Sequence, residues 1–498
     1  MSAALYSTEQ VRELDRSAIA AEGIAGYQLM QRAGCAVHSF IRRQYPGFCA
    51  RPARILVVCG GGKNGGDGYV IARLLHRDGC KVELCPLIPL EKLQGDVLKA
   101  ARDWRSCGGD ELLQGRLDIG SYDLIIDAML GTGLQRPVEG LFAEIIGLVN
   151  AARCPVIAVD IPSGLNADTG QPFPLAVMAD HTITFIARKR GLYTGRAADY
   201  CGRIHLEDLQ APSGIYGSIR APARLLEASG VLAALPRRRP SAHKGDNGHV
   251  LVVGGDTGMQ GGAQMTGLAA LRCGAGLTSI ATRRSHAPVL SALHPELMSW
   301  PVERASALAP LLQRATVVAL GPGLGRAAWG RQLFARSLAT AHPLVVDADG
   351  LNWLAAKPAT RSDWILTPHP GEAARLLGIS AGDVQADRYA AVRALAARYR
   401  GVVVLKGAGT LIAMADDPVT WVCDRGHAGM ASGGMGDVLT GIIAGLLAQG
   451  MTPFEAAKCG VWVHARAGER ASAPSGGRGM LATDLLPELR RLLNHEVL

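Results

Sequence analysis

Residues 428–441 hold the densest set of groups able to do chemistry. Gly433, Gly434 and Gly436 surround Met435 and lead to Asp437. Val438, Leu439, Ile442, Ile443, Leu446 and Leu447 follow at helical spacing, and Gly450 with Pro453 ends the run. The pattern predicts a helix with Asp437 in its first turn, behind a loop almost bare of side chains. Unpaired N–H groups at a helix N-terminus attract anions, and glycine lets a phosphate approach the main chain. A carboxylate at that point can orient or deprotonate a hydroxyl that attacks a phosphoryl group. The plainer alternative is a tight turn with Asp437 as a helix cap. Three glycines in four positions exceed what one turn requires, which favours phosphate handling.

The first half carries a second, oxygen-rich set. The apolar segment Arg54–Cys59 runs into Gly60-Gly61-Gly62-Lys63-Asn64-Gly65-Gly66-Asp67-Gly68, with a helix predicted over Tyr69–Arg77. Strand, glycine loop and helix is the order that sets a phosphate or dinucleotide on a helix N-terminus, although the spacing is not the Rossmann fingerprint. A glycine-rich turn between strand and helix is the alternative. A strand over Tyr122–Ile126 leads to Asp127, and one over Pro155–Val159 leads to Asp160 and Ser163. In a doubly wound parallel sheet the C-terminal strand ends converge on one crevice. One aspartate could cap a helix. Two, beside Asn64 and Ser163, suit a hard cation or proton transfer. Arg188-Lys189-Arg190, after the strand at Thr182–Phe185, reads as a solvated loop.

Five strand-to-loop junctions recur in the second half. They are Gly254-Gly255-Asp256 with Gly261-Gly262, Gly321-Pro322-Gly323-Leu324-Gly325, Asp347-Ala348-Asp349, Thr367-Pro368-His369-Pro370-Gly371-Glu372, and Lys406-Gly407-Ala408-Gly409-Thr410. Each has a structural alternative: His369 between prolines, Asp347 and Asp349 as turn caps or metal ligands, Lys406 as a solvated side chain. His243-Lys244-Gly245-Asp246-Asn247-Gly248-His249 has no spacing of a transition-metal site.

These groups need elements to hold them. Strands alternate with helices in both halves, which predicts α/β layers throughout. Ser7 with Gln10 reads as a capping box opening the first helix. Residues 212–245 mix Pro, Gly, Ala and Arg, with a short helix-like Arg224-Leu225-Leu226, so the boundary is set between 1–217 and 218–498. A chain of 498 residues with 48% hydrophobic and 19% charged residues is an ordinary globular one. Its net charge of +9 permits an anionic partner, but basic residues are scattered and 5% aromatics leave little for base stacking, so no nucleic-acid partner is expected. No apolar run is long enough for a bilayer, so no membrane partner is expected. Eleven cysteines without a CxxC pair and no signal peptide predict reduced, buried thiols and a cytoplasmic location.

Residues 1 to about 215 resemble the YjeF N-terminal domain, the NAD(P)HX epimerase family, through KNGGDG at 63–68, DAMLGTGL at 127–134 and DIPSG at 160–164. Residues 220–498 resemble the YjeF C-terminal domain, the NAD(P)HX dehydratase family, through GPGLG, DADGLN, TPHPGE, LKGAGT and GMASGGMGD in the family's order. The resemblance implies a Rossmann-like three-layer domain followed by a ribokinase-like α/β domain. It implies epimerisation of hydrated NADH and NADPH (NADHX and NADPHX), then dehydration at the expense of ADP, with potassium and magnesium. By position, Asn64, Asp127 and Ser163 would hold potassium. Lys63, Asn64, Gly65, Gly66 and Asp67, with Gly131, Thr132, Gly133, Leu134, Gln135, Arg136 and Pro137, would contact the dinucleotide, and Asp160 would be the acid/base residue. Lys63 departs from the family's usual Asn; it could pair with a phosphate or point outward. In the second half Lys406, Gly407, Ala408, Gly409, Thr410 and Gly436 would bind the adenine nucleotide. Gly262, Gly323, His369 and Asp437 would contact the hydrate, with Asp437 the base. A homo-oligomer is expected. The competing readings are a ribokinase-like small-molecule kinase and a non-catalytic dinucleotide-binding module.

Overall fold

The strands are apolar on successive residues, and the fold buries both of their faces, as parallel sheets require. A computed structural model describes residues 3–48, 52–112, 117–474 and 476–494. The chain divides into two compact units, 2–223 and 224–498.

The first unit is built on a seven-stranded sheet in the order Asp110–Glu111, Lys81–Pro86, Arg54–Cys59, Leu124–Ala128, Val156–Val159, His181–Phe185, Arg203–Glu207, with every neighbouring pair parallel. Alternate residues serve opposite faces. Ile55, Val57, Leu124 and Ile126 pack with helices Thr8–Glu22, Gly26–Gln44, Lys63–Arg77 and Gly95–Ser106, whereas Leu56, Val58 and Ile125 pack with Gly140–Asn150. The result is three layers. Ser7 and Gln10 form the expected capping box. Strand order reverses between Arg54–Cys59 and Leu124–Ala128, which stand in register at Cys59 and Ala128. The loops after these two strands therefore diverge and leave a crevice between them.

One element differs from expectation. The helix begins at Lys63, not at Tyr69, so the KNGGDG segment is two turns of helix and no loop. Its glycines serve close packing. A Cβ on Gly65 would fall 1.9 Å from the Gly60 carbonyl oxygen, and one on Gly68 would fall 2.6 Å from Ala128 Cβ. Tertiary contact outweighs the low helix propensity of glycine.

In the second unit the sheet runs Met298–Pro301, Leu277–Thr282, His249–Val253, Val317–Leu320, Leu344–Val346, Trp364–Leu366, Val402–Leu405 in parallel, then continues antiparallel through Thr410–Met414 and Asp417–Cys423. Helices Gln260–Arg272, Met435–Ala448, Pro453–Ser472 and Leu485–Leu493 bury a shared apolar core against it. Its switch point lies between His249–Val253 and Val317–Leu320. The helix-like Arg224-Leu225-Leu226 is in fact strand at Ala223–Leu225. The Leu226 N–H donates to the Val422 carbonyl at 2.8 Å, and Arg224 lies over the Trp421 ring. Cross-strand partners decide a three-residue segment that propensity alone cannot.

Candidate functional sites

Each switch point carries one of the two sites. In the first unit the crevice encloses about 650 Å³. Lys63, Asn64 and Asp67 reach it from the first turns of helix Lys63–Arg77, and Gly131, Thr132, Gly133, Leu134, Gln135 and Arg136 form its opposite wall. Gly65 and Gly66 do not line it; a Cβ on Gly66 would strike Met30 instead. Pro137 also lies beyond the lining. Lys63 is exposed at the rim.

Asp127 and Ser163 sit beneath this floor, both fully buried. Asp127 accepts from the Ser163 N–H at 2.7 Å, the Ser163 hydroxyl at 2.5 Å and the Met129 N–H at 3.2 Å. Burial pushes its carboxyl up to about 6 despite those donors. Asn64 donates through Nδ2 to the Leu130 carbonyl at 3.2 Å, which leaves its buried Oδ1 without a partner among the described residues. An orphaned acceptor beside a carbonyl, a hydroxyl and a carboxylate is the donor chemistry of an alkali or alkaline-earth cation site.

Asp160 occupies the loop after Val156–Val159 with φ +67°, a left-handed conformation uncommon for a residue with a side chain. Its Oδ1 accepts from Lys189 Nζ, from the Phe185 N–H at 3.1 Å and from the Thr184 hydroxyl at 3.3 Å. Lys189 is 1% exposed, so it is not part of a solvated loop. Arg190 pairs with Asp168 at 3.2 Å, and only Lys189 of the basic trio is buried. No local spacing distinguishes it; three adjacent cations look alike until the sheet places one inward. Asp15 also lines the crevice and was not legible as a site residue. Its position next to Leu14 in an apolar-periodic helix was the available signal. Burial raises Asp15 and pushes Asp67 well above the carboxylate range, with the charge of Asp160 adding to both.

In the second unit helix Met435–Ala448 starts as expected, with Gly434 at φ +90° as its N-cap residue and no side-chain cap. Asp437 is therefore not a cap, and its carboxylate makes no hydrogen bond or ion pair among the described residues. Burial, then the charge of Asp347, raises it to about 6, with Lys406 opposing. Gly262, in the first turn of helix Gln260–Arg272, stands directly against it. Gly323, at φ +60°, accepts through its carbonyl from the Asp256 N–H and joins the two loops of the switch point.

Lys406 ends strand Val402–Leu405 and is not solvated. Its ammonium donates to Asp347 Oδ1 at 2.6 Å and stands 3.8 Å from Glu372 Oε2. Thr440 holds the other Asp347 oxygen at 2.9 Å. Gly436 leaves room for this group: a Cβ there would lie 3.2 Å from Lys406 Nζ. Gly407 to Thr410 form the turn that follows, with Gly407 and Ala408 exposed, Gly407 at φ +135° and the Thr410 hydroxyl donating to the Gly407 carbonyl. His369 caps helix Pro370–Leu377, accepting the Gly371 N–H at Nδ1, so it has a structural duty beside any contact with a ligand. Glu372, raised to about 7 chiefly by burial, was missed as part of this cluster. Asp349 accepts the Gly325 N–H and meets Arg326, as a loop-fixing residue does. No group of three or more His, Cys, Asp or Glu residues among the described residues forms a metal cage.

Residues 26–191 match the family model of the YjeF-related protein N-terminus, and 250–491 match that of NAD(P)H-hydrate dehydratase. The chain is 46% identical to the bifunctional NAD(P)H-hydrate repair enzyme Nnr of Coxiella burnetii, over 98% of this chain and 99% of that one. It is 43% identical to the Escherichia coli protein of the same name, over 99% and 94%. Among solved structures, the ADP/ATP-dependent NAD(P)H-hydrate dehydratase from Bacillus subtilis, co-crystallised with ATP and magnesium, superposes with a TM-score of 0.50 at 30% identity, covering 54% of this chain and 98% of that one.

Proposed function

The chain belongs to the bifunctional NAD(P)H-hydrate repair enzymes, and from that premise we propose that its first crevice interconverts the epimers of NADHX and NADPHX while its second dehydrates one of them at the expense of ADP. One observation carries the reading. Each site presents an aspartate that is not used as a helix cap: Asp160 lines the first crevice with one oxygen bonded, and Asp437 stands against Gly262 with its carboxylate unbonded among the described residues. A stand-alone kinase explains the second site but not the first, and a non-catalytic module does not account for Asn64, Asp127, Asp160 and Ser163 in one place.

In the second site Asp437 takes the proton of the hydrate's ring hydroxyl as that oxygen attacks the terminal phosphorus of ADP. AMP leaves. The phosphorylated ring then loses phosphate, which departs with the C–O electron pair, and a ring proton, which restores NADH or NADPH. Lys406 supplies a fixed positive charge toward the nucleotide, and the N–H groups at the start of helix Met435–Ala448 face the transferring group. Gly407, Ala408, Gly409 and Thr410 contact the nucleotide; Gly323 and His369 contact the hydrate.

Asn64, Asp127 and Ser163 would hold potassium, which the orphaned Asn64 oxygen fits; a bound cation would supply positive charge beside the Leu130 loop. Magnesium fits as a companion of the nucleotide phosphates, since Asp347 and Glu372 are already engaged by Lys406. We place the enzyme in the cytoplasm as a homo-oligomer. The ten described cysteines are unbridged, most of them buried but Cys35 exposed, and no helix of the described residues is long and apolar enough to cross a membrane.

The test is recovery of NADH absorbance from mixed hydrate epimers with ADP, ATP or no nucleotide. Full recovery with ADP supports the reading; a stable phosphorylated product with no NADH overturns it.

A further inference from the structure

Asp160 is anchored asymmetrically. Its Oδ1 gathers Lys189 Nζ, the Phe185 N–H and the Thr184 hydroxyl, whereas its Oδ2 has no partner among the described residues. The carboxylate lines the crevice with a side chain 17% exposed. Lys189 spends its remaining protons on Thr184 Oγ1 at 2.9 Å and the Phe185 carbonyl at 3.0 Å, which uses the full donor set of an ammonium. It is held from behind by the two-residue strand Arg188–Lys189, paired in parallel with Ala4–Tyr6. The left-handed backbone at Asp160 turns the carboxylate toward this ammonium and costs energy that the surrounding bonds must offset.

We propose that Lys189 is a positioning residue for epimer exchange: it binds one oxygen of Asp160, fixes the orientation of the carboxylate, and leaves Oδ2 as the atom that receives the proton. The inference rests on the epimerase reading of this crevice. Hydration of an enamine puts the hydroxyl on the carbon next to the ring nitrogen. Exchange by loss and return of water breaks that C–O bond, the pair leaving with oxygen while the nitrogen lone pair forms C=N⁺. Water then adds to the other face, its oxygen forming the new C–O bond and its proton passing to Asp160 Oδ2. The departing oxygen takes its proton from a neutral carboxyl, and proton exchange with solvent restores both groups. Asp15, Asp67 and Asp96 are the other carboxyls that line this crevice, and Lys63, Lys189, Arg12 and Arg136 are its cations. Among these cations Lys189 is the one that bonds Asp160 directly.

The experiment follows exchange in the full-length enzyme as the slow phase of NADH recovery, at several substrate concentrations, for Lys189→Met, Lys189→Arg, Asp160→Asn and the double variant Lys189→Met with Asp160→Asn. We expect Lys189→Met to lower the exchange rate about 100-fold, as a misplaced catalytic group does, with KM little changed. Lys189→Arg, which keeps a cation against Oδ1, should recover part of the lost rate. The double variant should be no slower than Asp160→Asn, since the two act as one unit. Losses that multiply, or a KM that rises in step with the rate loss, overturn the proposal. Full exchange in Asp160→Asn overturns the epimerase reading itself. If Lys189→Met does not fold, Thr184→Val must slow exchange by less with KM little changed; an unchanged rate overturns the proposal.

Discussion

A Cβ placed on Gly262 would stand 3.1 Å from Asp437 Oδ2 and 3.3 Å from Oδ1. The two residues come from different helices, Gln260–Arg272 and Met435–Ala448, fastened by the Thr266 hydroxyl donating to the Asp437 carbonyl at 3.0 Å. Glycine at 262 therefore decides where the Asp437 carboxylate can sit.

Gly262→Ala should displace that carboxylate by a few tenths of an ångström and cut dehydration about 10- to 100-fold. Alanine is the better helix former by up to about 1 kcal/mol, so the thermal midpoint should hold or rise. Steady-state rates beside thermal unfolding check this; activity and stability falling together would point to general disruption.

Asp437→Asn should abolish NADH recovery. In the parent enzyme the carboxyl, raised to about 6, must be ionised to act as base. The dehydration kcat/KM should rise with pH through about 6 and level above it. A pH profile measured on the directly usable epimer tests this apart from epimer exchange.

Asp160→Ala should make recovery biphasic. One epimer is dehydrated at the parent rate and the other stalls. Stopped absorbance traces with mixed epimers read both phases at once.

Removing potassium should loosen the first unit. Exchange of potassium for tetramethylammonium should lower its thermal midpoint in the parent protein and leave Asn64→Ala unmoved, because the orphaned oxygen is then gone. Calorimetry gives this answer independently of activity.

His464 lies in helix Pro453–Ser472 with Nε2 buried and unpartnered among the described residues, and burial pushes it down to about 4 against a hydrogen bond with the Met435 backbone. Between about pH 4 and 6.5 the unfolded chain binds this proton and the folded one does not. Its contribution to stability is thus full above 6.5 and is lost as pH falls, by up to about 3 kcal/mol. His464→Gln should flatten this part of the pH dependence in denaturant titrations.

The alternating apolar strands and helices specified both α/β units, because period and turn chemistry are local properties. The helix at Met435, the capping box at Ser7 and the aspartates at strand ends were legible for the same reason. The family motifs also named Lys63, Asn64, Asp67, Asp160 and residues 131–136, all of which line the first crevice. Tertiary structure alone decided that KNGGDG is helix, since its glycines answer to Gly60, Met30 and Ala128 and not to their own neighbours. It alone singled out Lys189 from three adjacent cations and set Glu372 and Asp347 around Lys406. Burial and pairing arise between residues distant in the chain, and the sheet order that brings them together is not written in any local spacing.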